Sequence, residues 1–274
     1  MTRIAIVTGA AQGIGEAVAL RLAVDGLDVV VSDLPAKREQ LASLVKRIET
    51  TGRRAMAVEA DVSEEQDVIA LIDKTAEAFG GLDVMVANAG ICMFKPMFDS
   101  TPSVDDLNTI LSINVRGVML CYKHAAMQMV KQDRGGRIIG ASSGAAKKAI
   151  PNMAAYSASK YAVRGLTQAC AAEWRKHKIT VNTYAPGSIL TPMVLHPDDE
   201  KNGGPASTAK LATGLPLDTP DAEPVVIADF VSYLIRPESY HITGRTTDSV
   251  YDRCFAEQNS SGQSVNIDGG LNYD

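Results

Sequence analysis

Short apolar runs alternate with longer amphipathic stretches along almost the whole chain. The runs are four or five residues long, rich in β-branched side chains, and lie at 4–8, 29–32, 55–59, 84–87, 137–141, 180–184 and 264–267. Segments with helical periodicity lie between them, at 15–24, 38–50, 64–79, 104–132, 155–175 and 223–235. This alternation is typical of βαβ units, and strands that are apolar at consecutive positions are buried on both faces. The pattern predicts an α/β fold with a doubly wound parallel sheet.

Two segments interrupt this rhythm. Residues 191–220 are rich in Pro, Gly, Asp and Thr and are too long for an ordinary connection, which predicts a mobile flap over a site. A surface excursion without function is the alternative. Residues 244–261 are polar and have little periodicity. Because the chain has neither an internal repeat nor a low-complexity linker, we expect a single domain over 1–274.

Composition and charge exclude several classes of protein. The chain has 274 residues, of which 46% are hydrophobic, and no apolar run approaches the ~20 residues that cross a bilayer. The first residues enter an apolar strand without the features of a signal peptide, so we expect a cytoplasmic protein and no membrane partner. The net charge of −5 would repel phosphate backbones, which argues against nucleic acid.

Neither the cysteines nor the histidines have the spacing of a metal site. The cysteines are Cys92, Cys121, Cys170 and Cys254. The histidines are His124, His177, His196 and His241. The sequence therefore predicts no metal.

The first strand ends in a glycine-rich turn that opens the first helix. Glycines let the chain turn sharply and let a pyrophosphate approach the backbone, while the amides at the start of the helix attract negative charge. The turn therefore predicts a dinucleotide site of the Rossmann type. Its candidate binding residues are Gly9, Gln12, Gly13, Ile14 and Gly15.

Asp33 ends the second strand, eighteen residues after Gly15. A carboxylate at this point can accept both hydroxyls of the adenosine ribose and would repel a 2′-phosphate. We therefore expect NAD(H) to be preferred over NADP(H). We interpret the nearby basic residues Arg3, Lys37 and Arg38 as ordinary surface charge.

Tyr156 and Lys160 are four residues apart in a segment that is expected to be helical, so their side chains leave on one face. The pKa of a tyrosine hydroxyl is about 10 in isolation, and an adjacent ammonium draws it down. The pair predicts a site of proton transfer, with the tyrosine hydroxyl as acid or base.

With these features in place, the chain resembles the short-chain dehydrogenase/reductase family over nearly its whole length. The resemblance also rests on motifs that occur in the family's order. They are Asp61-Val62, Asn88-Ala-Gly90, Asn114, Ser142-Ser143, Pro186-Gly187, Thr191 and Asp268-Gly-Gly270.

The resemblance implies four catalytic residues. Tyr156 matches the family's general acid/base, and Lys160 matches the residue that lowers its pKa and holds the nicotinamide ribose. Ser143, thirteen residues before Tyr156, matches the serine that binds the substrate oxygen, a role that its neighbour Ser142 would not share. Asn114 matches the asparagine that holds a water in a proton relay through Lys160.

The resemblance also implies further cofactor contacts. Asp61 and Val62 would contact the adenine, Asn88 and Gly90 would line the cofactor, and the nicotinamide end would lie against the segment after the sixth strand. The residues expected in that segment are Pro186, Gly187, Ile189 and Thr191.

The sequence segments 12–17, 162–168 and 191–193 resemble the acetoin reductase/2,3-butanediol dehydrogenase branch of the family. This resemblance implies a small secondary alcohol and its ketone as substrates. Gly144 departs from the polar residue found in members of that branch, so a polyol or sugar substrate stays open. Reduction of a 3-oxoacyl group and a non-catalytic NAD sensor are further alternatives. We expect an apolar lining from Met193, Val194, Leu195 and Leu211, and a homo-oligomer, tetramer or dimer.

Residues 244–261 interrupt the family pattern near its end. Their deletion would join Ile242-Thr243 to Gly262-Gln263-Ser264, as in the family. We therefore predict an inserted loop between the last helix and the last strand. The loop would adjoin a subunit contact of tetrameric relatives and could perturb assembly.

Overall fold

The computed structural model describes residues 2–97 and 103–248. Seven parallel strands form one sheet in these ranges, in the order β3-β2-β1-β4-β5-β6-β7. They are β1 Ile4–Thr8, β2 Asp28–Asp33, β3 Ala55–Glu59, β4 Val84–Ala87, β5 Gly136–Ala141, β6 Ile179–Ala185 and β7 Thr246–Asp248. The predicted doubly wound α/β fold is confirmed.

Helices cover both faces of the sheet. They are α1 Gly13–Val24, α2 Arg38–Glu49, α3 Glu65–Phe79, α4 Val104–Leu111, α5 Val118–Gln132, α6 Ala154–Trp174, α7 Asp199–Asn202, α8 Ser207–Thr213 and α9 Pro224–Leu234. Short 3₁₀ turns lie at Pro35–Lys37, Gly144–Ala146, Arg175–His177 and Pro237–Ser239. The stretch 104–132, expected to be one helix, is divided by a π-helical segment, Ser112–Gly117. None of the helices in the described ranges is long and apolar enough to cross a membrane.

The strands are buried on both faces because successive side chains point in opposite directions. In β2, Val29 and Val31 enter the core beneath α1, α2 and α9, while Val30 enters the core beneath α3, α5 and α6. Burial of one such side chain stabilises the fold by about 1.5–3 kcal/mol. The two cores explain why these strands have consecutive apolar residues.

The strand order places a binding crevice at the sheet edge formed by the carboxyl ends of the strands. β1 lies between β2 and β4, so the chain runs outward from β1 to β3 and then returns to β4 on the other side of β1. Open α/β sheets bind ligands at such a switch point. The predicted glycine turn and Asn88 follow β1 and β4 at this point.

The edge strand β7 differs from the prediction. Thr183, Tyr184 and Ala185 of β6 pair with residues 246–248, and the hydroxyls of Thr183 and Thr246 are 2.8 Å apart. Residues 246–248, which were expected to be loop, therefore form an edge strand within the predicted insertion. Residues 249–261, the strand expected at 264–267 and the motif at 268–270 lie outside the described residues.

Candidate active site

A cavity of about 440 Å³ lies at the carboxyl ends of the strands, between the glycine turn and the segment 191–220. Most of the predicted site residues line it. They are Gly9, Gln12, Gly13, Ile14, Asp33, Asp61, Val62, Asn88, Gly90, Ser143, Tyr156, Lys160, Pro186, Gly187, Ile189 and Thr191. Gly15 and Asn114 support the wall from behind.

The glycine turn has no room for side chains. A Cβ atom added at Gly15 would lie 2.2 Å from the carbonyl oxygen of Gly9, closer than atoms can approach. Gly13 has a φ of +59°, in the left-handed region, and a Cβ there would lie 3.1 Å from the Thr191 methyl group. The turn therefore presents bare backbone to the cavity, as a pyrophosphate requires.

Asn88 joins the glycine turn to β6. Its Nδ2 atom donates hydrogen bonds to the carbonyl oxygens of Thr8 and Gly9, at 2.9 and 3.0 Å. Its Oδ1 atom accepts a hydrogen bond of 2.7 Å from the hydroxyl of Tyr184, which is buried in β6. The side chain thus fixes the position of the turn, a role that its place in a sequence motif does not reveal.

The adenosine end of the cavity contains Asp33 and one basic residue. The carboxylate of Asp33 accepts hydrogen bonds from the backbone N–H groups of Ala11 and Leu34. The Lys37 ammonium, which also lines the cavity, donates to Gln12 Oε1 at 3.0 Å. The interpretation of Lys37 as ordinary surface charge is therefore wrong. Its contact with Gln12, 25 residues away, is not visible in the sequence.

The other two basic residues stay outside the cavity. Arg38 pairs with Glu59 on the surface, and Arg3 donates to the carbonyl oxygen of Ile235. Next along the wall, the Asp61 carboxylate accepts hydrogen bonds from the N–H and hydroxyl of Ser63. Of the three basic residues, Lys37 is thus the one that lines the cavity together with Asp33.

Tyr156 and Lys160 lie on one face of α6, as expected. The Lys160 ammonium is 3% exposed, donates a 2.9 Å hydrogen bond to the carbonyl oxygen of Ala141, and lies 5.4 Å from the ring centre of Tyr156. Burial lowers the pKa of Lys160 to about 8, while the nearby Cys92 acts in the opposite direction. The ammonium is therefore fixed between the end of β5 and the tyrosine ring.

Asn114 lies behind the cavity, in the π-helical segment. Its Oδ1 atom accepts from the N–H of Ile91 at 2.9 Å, and its Nδ2 atom donates to the carbonyl oxygen of Ile91 and to the hydroxyl of Ser159. These bonds connect the segment after β4 to α6. Asn114 is completely buried, and so it holds this wall in place from behind.

The two serines after β5 differ in their surroundings. Ser143 Oγ accepts a 3.1 Å hydrogen bond from the N–H of Ala145, and a hydroxyl that accepts can still donate. Ser142 Oγ is buried and has no hydrogen-bond partner among the described residues. The Ser143 hydroxyl thus lies at the cavity, whereas the Ser142 hydroxyl oxygen is buried in the cavity wall.

Residues 191–220 form a folded cap. Asp199 organises it, because its carboxylate accepts hydrogen bonds from the backbone N–H groups of His196, Ala206 and Thr208. The bond from His196 is the largest cause that holds the pKa of Asp199 below its ordinary value. The segment predicted to be a mobile flap is thus folded, with two short helices, α7 and α8.

The cap residues that line the cavity are only partly those expected. Met193 and Val194 line it, but Leu195 and Leu211 do not and are 46% and 54% exposed. The register of α8 instead presents Ala209, Lys210 and Thr213 to the cavity. Helix α8 was not predicted, so its inward face could not be known from the sequence.

A buried ion pair joins the cap to the segment after β6. The Lys210 ammonium donates to the Asp221 carboxylate at 2.7 Å and to the carbonyl oxygens of Leu217 and Thr219. The other oxygen of Asp221 accepts a 2.6 Å bond from the hydroxyl of Ser188. This network fixes the cap relative to the predicted nicotinamide contacts Gly187 and Ile189.

Comparisons with known proteins agree with this site. The family model for short chain dehydrogenases matches residues 3–202. The chain is 44% identical to the short-chain dehydrogenase/reductase ARMGADRAFT_1018421 of Armillaria gallica, over 99% of this chain and 97% of that protein. It is 40% identical to an L-2,3-butanediol dehydrogenase of Corynebacterium glutamicum, over 89% of this chain and 96% of that protein.

A solved structure gives the same result. The acetoin dehydrogenase YohF of Salmonella typhimurium matches with a TM-score of 0.79 and 30% identity, over 95% of this chain and 100% of that chain. The fold, the glycine turn and the placement of Tyr156 and Lys160 all lead to one assignment. The chain belongs to the short-chain dehydrogenase/reductase family and is an oxidoreductase.

Proposed function

We propose that the protein interconverts a small secondary alcohol and its ketone with NAD(H). The observation that carries this proposal is that Tyr156, Lys160 and Ser143 share one cavity with the glycine turn. When bound, the dinucleotide supplies hydride to the carbonyl carbon or accepts it from the alcohol. The residues of the chain hold the reactants and move the proton.

The cavity fits a dinucleotide. Its glycine turn leaves the backbone uncovered, because a Cβ at Gly9 would lie 2.8 Å from Ala89 Cα and one at Gly15 would meet Gly9. At one end, we assign Asp33 to the adenosine ribose. At the other end, Ile189 and Thr191 are assigned to the nicotinamide carboxamide by family resemblance.

Tyr156 is assigned the proton transfer. In reduction, its hydroxyl protonates the ketone oxygen, and in oxidation its phenolate removes the alcohol proton. The Lys160 ammonium favours the phenolate through its charge. Ser143 donates a hydrogen bond to the substrate oxygen as negative charge develops there, an effect that is typically about 3 kcal/mol at such sites.

Asp33 favours binding of NAD(H) over NADP(H), and Lys37 opposes this preference. The carboxylate would repel a 2′-phosphate, whereas an ammonium beside it would attract one. Lys37 already donates to Gln12, and the Asp33 carboxylate is fixed by two backbone N–H groups. We therefore assign NAD(H) as the cofactor.

The candidate substrates are acetoin, diacetyl and 2,3-butanediol. Similarity to the butanediol dehydrogenase supports them. A polyol or sugar is a weaker candidate, since the cavity wall beside Tyr156 is apolar. The acidic pI of 5.5 disfavours an acyl-carrier substrate, and a redox sensor would not need all four of Asn114, Ser143, Tyr156 and Lys160.

The test is NADH consumption with diacetyl, acetoin, a ketose and a 3-oxoacyl thioester, repeated with NADPH. Tyr156→Phe should bind NADH and lose turnover by about 100-fold or more. Tyr233→Phe is the matched control, because Tyr233 is exposed on α9. Unchanged turnover in Tyr156→Phe would refute the assigned role.

We also propose a homo-oligomer, either a tetramer or a dimer. Met119, Met127 and Val130 lie along one stripe of α5 and are exposed by 41%, 59% and 39%. A second copy of the chain would bury this stripe. Light scattering after gel filtration measures the mass, and Met127→Glu should reduce it, whereas a monomeric wild type would refute the proposal.

A further inference from the structure

The wall around Tyr156 consists largely of carbon and sulfur atoms. Ala145 and Met153 are buried against the tyrosine ring, and three half-buried side chains pack on this cluster: Cys92, Phe94 and Ile150. Burial raises the pKa of Cys92 to about 12, so its thiol stays neutral. On this side of the cavity a substrate would meet apolar groups.

The cap contributes polar atoms, but the protein already uses them. Thr213 Oγ1 donates to the carbonyl oxygen of Ala209 at 2.8 Å. The Lys210 ammonium has three hydrogens and donates to three acceptors: Leu217 O, Thr219 O and Asp221 Oδ2. Neither side chain has a hydrogen left for a substrate oxygen.

The residues beside Ser143 supply no replacement. Ser142 also lines the cavity, but its side-chain oxygen is buried. Gly144 has no side chain, and its N–H donates to the carbonyl oxygen of Pro186 at 3.0 Å. Among residues 2–97 and 103–248, Ser143 and Tyr156 are therefore the hydroxyls that we assign to the substrate oxygen.

We infer that the enzyme holds its substrate through one oxygen, the one bound by Ser143 and Tyr156, and that an apolar group fills the rest of the pocket. This inference rests on the proposed function and narrows its substrate class to ketones with an apolar body, so that among its candidates the hydroxyl-bearing acetoin and 2,3-butanediol become the weaker ones. Among the described residues of this wall and of the cap, the oxygen of a second hydroxyl would find no side-chain donor with a hydrogen to spare, so it would leave water with part of its hydrogen bonding lost. Such a loss should lower kcat/KM by roughly 10-fold to 100-fold.

Two matched pairs of ketones test the inference with the full chain and saturating NADH. In each pair, a hydroxyl of one ketone is replaced by a methyl group in the other, at nearly constant shape. The first pair is 4-hydroxy-2-butanone and 2-pentanone, and the second is acetoin and 3-methyl-2-butanone. In the first pair, where the hydroxyl is remote from the carbonyl, kcat/KM should be at least about 10-fold higher for 2-pentanone.

In the second pair the hydroxyl is adjacent to the carbonyl and alters its reactivity. The kcat/KM ratio of the two ketones is therefore compared between variants of the protein. Met153→Gln adds a polar group to the wall and should shift the kcat/KM ratio by about fivefold or more towards acetoin. Met153→Leu is the apolar control and should leave the ratio unchanged. Equal shifts in both variants, or no shift in either, would contradict the inference.

The outcomes separate this inference from the proposed function. Turnover of both ketones in the first pair with equal kcat/KM, or with preference for the hydroxylated one, would overturn the single-oxygen inference alone. A lack of NADH consumption with all four ketones would overturn the proposed function and this inference with it.

Discussion

The ammonium of Lys160 lies 5.4 Å from the ring centre of Tyr156 and donates a hydrogen bond to the carbonyl oxygen of Ala141. The helical spacing of four residues brings the two side chains to one face. The end of β5 then fixes the ammonium, which is 3% exposed. Because the Lys160 ammonium, close to the phenol of Tyr156, is held away from water, its pKa changes on folding, and this change can be measured.

The first prediction concerns the pH dependence of stability. The pKa of Lys160 is lowered by burial from 10.5 to about 8 in the folded protein. Between about pH 8 and pH 10.5, the unfolded chain therefore binds more protons at this residue, so folding gains stability as pH rises. Relative to Lys160→Met, the free energy of unfolding of the wild type should rise by about 3 kcal/mol over this window.

Urea denaturation at pH 7, 8, 9 and 10 measures this difference. Lys176→Met is the control, because Lys176 is exposed and its replacement removes no buried charge. A constant difference between the wild type and Lys160→Met at every pH would contradict the prediction.

The second prediction concerns Asn88. Asn88→Ala leaves the carbonyl oxygens of Thr8 and Gly9 and the hydroxyl of Tyr184 without their partner. Buried polar groups without partners cost about 1–3 kcal/mol each, and the glycine turn loses its fixed position. We expect NADH to bind at least about 10-fold more weakly, as measured by fluorescence titration.

Tyr184→Phe is the control for Asn88. It removes one hydrogen bond and leaves the two bonds from Asn88 to the turn intact. NADH binding should therefore change much less than in Asn88→Ala. If the two variants bind NADH equally well, Asn88 does not act through the turn.

The third prediction concerns the cap. Lys210→Met breaks the link through Asp221 to Ser188 and frees the cap from the segment that holds Gly187 and Ile189. Because small misplacements at an active site weaken catalysis strongly, kcat/KM for the ketone should fall roughly 10-fold or more. Limited proteolysis should also cut the cap faster. Lys201→Met, on the exposed side of α7, is the control, and equal proteolysis rates for the two variants would refute the role of the network.

The fourth prediction concerns the cofactor. Asp33→Ala removes the carboxylate but keeps Lys37, so the ratio of kcat/KM for NADPH to that for NADH should rise by about 10-fold or more. Adding Lys37→Met should remove most of this gain, because the remaining positive charge is lost. A ratio that is the same in the wild type and in Asp33→Ala would show that Asp33 does not select the cofactor.

The fifth prediction concerns residues 244–261, which we still propose to be an insertion relative to the family. Their deletion removes β7 but brings the predicted strand 264–267 to two residues after Ile242-Thr243. We expect the deletion variant to fold and to differ from the wild type in oligomeric mass and in its midpoint of urea unfolding. Identical mass and midpoint would show that the segment does not affect assembly.

Local patterns in the sequence were sufficient for most of the fold. Short apolar runs predicted the first six strands. The spacing of the glycines predicted the turn, because a tight strand-to-helix connection needs this spacing. Tyr156 and Lys160 follow from a helical period. Each of these signals acts within about 20 residues, where backbone geometry alone decides which side chains share a face.

Other features needed the whole molecule. Lys37 lines the cavity because it reaches Gln12, which is 25 residues away. Leu195 and Leu211 face outward because Asp199 sets the fold of the cap. Residues 246–248 form a strand where loop was expected, because Thr246 and Thr247 pair with the edge of the sheet at β6. This pairing depends on the tertiary structure.

The sequence by itself determined the order of strands and helices, the dinucleotide turn and the candidates for proton transfer, since these depend on spacing along the chain. Only the tertiary structure decided which polar groups remain for a substrate. Lys210, Thr213 and Asn88 look equally available in the sequence, but the fold gives each of them partners within the protein. A side chain can bind a ligand only through the hydrogen-bond donors and acceptors that neighbouring residues do not already use.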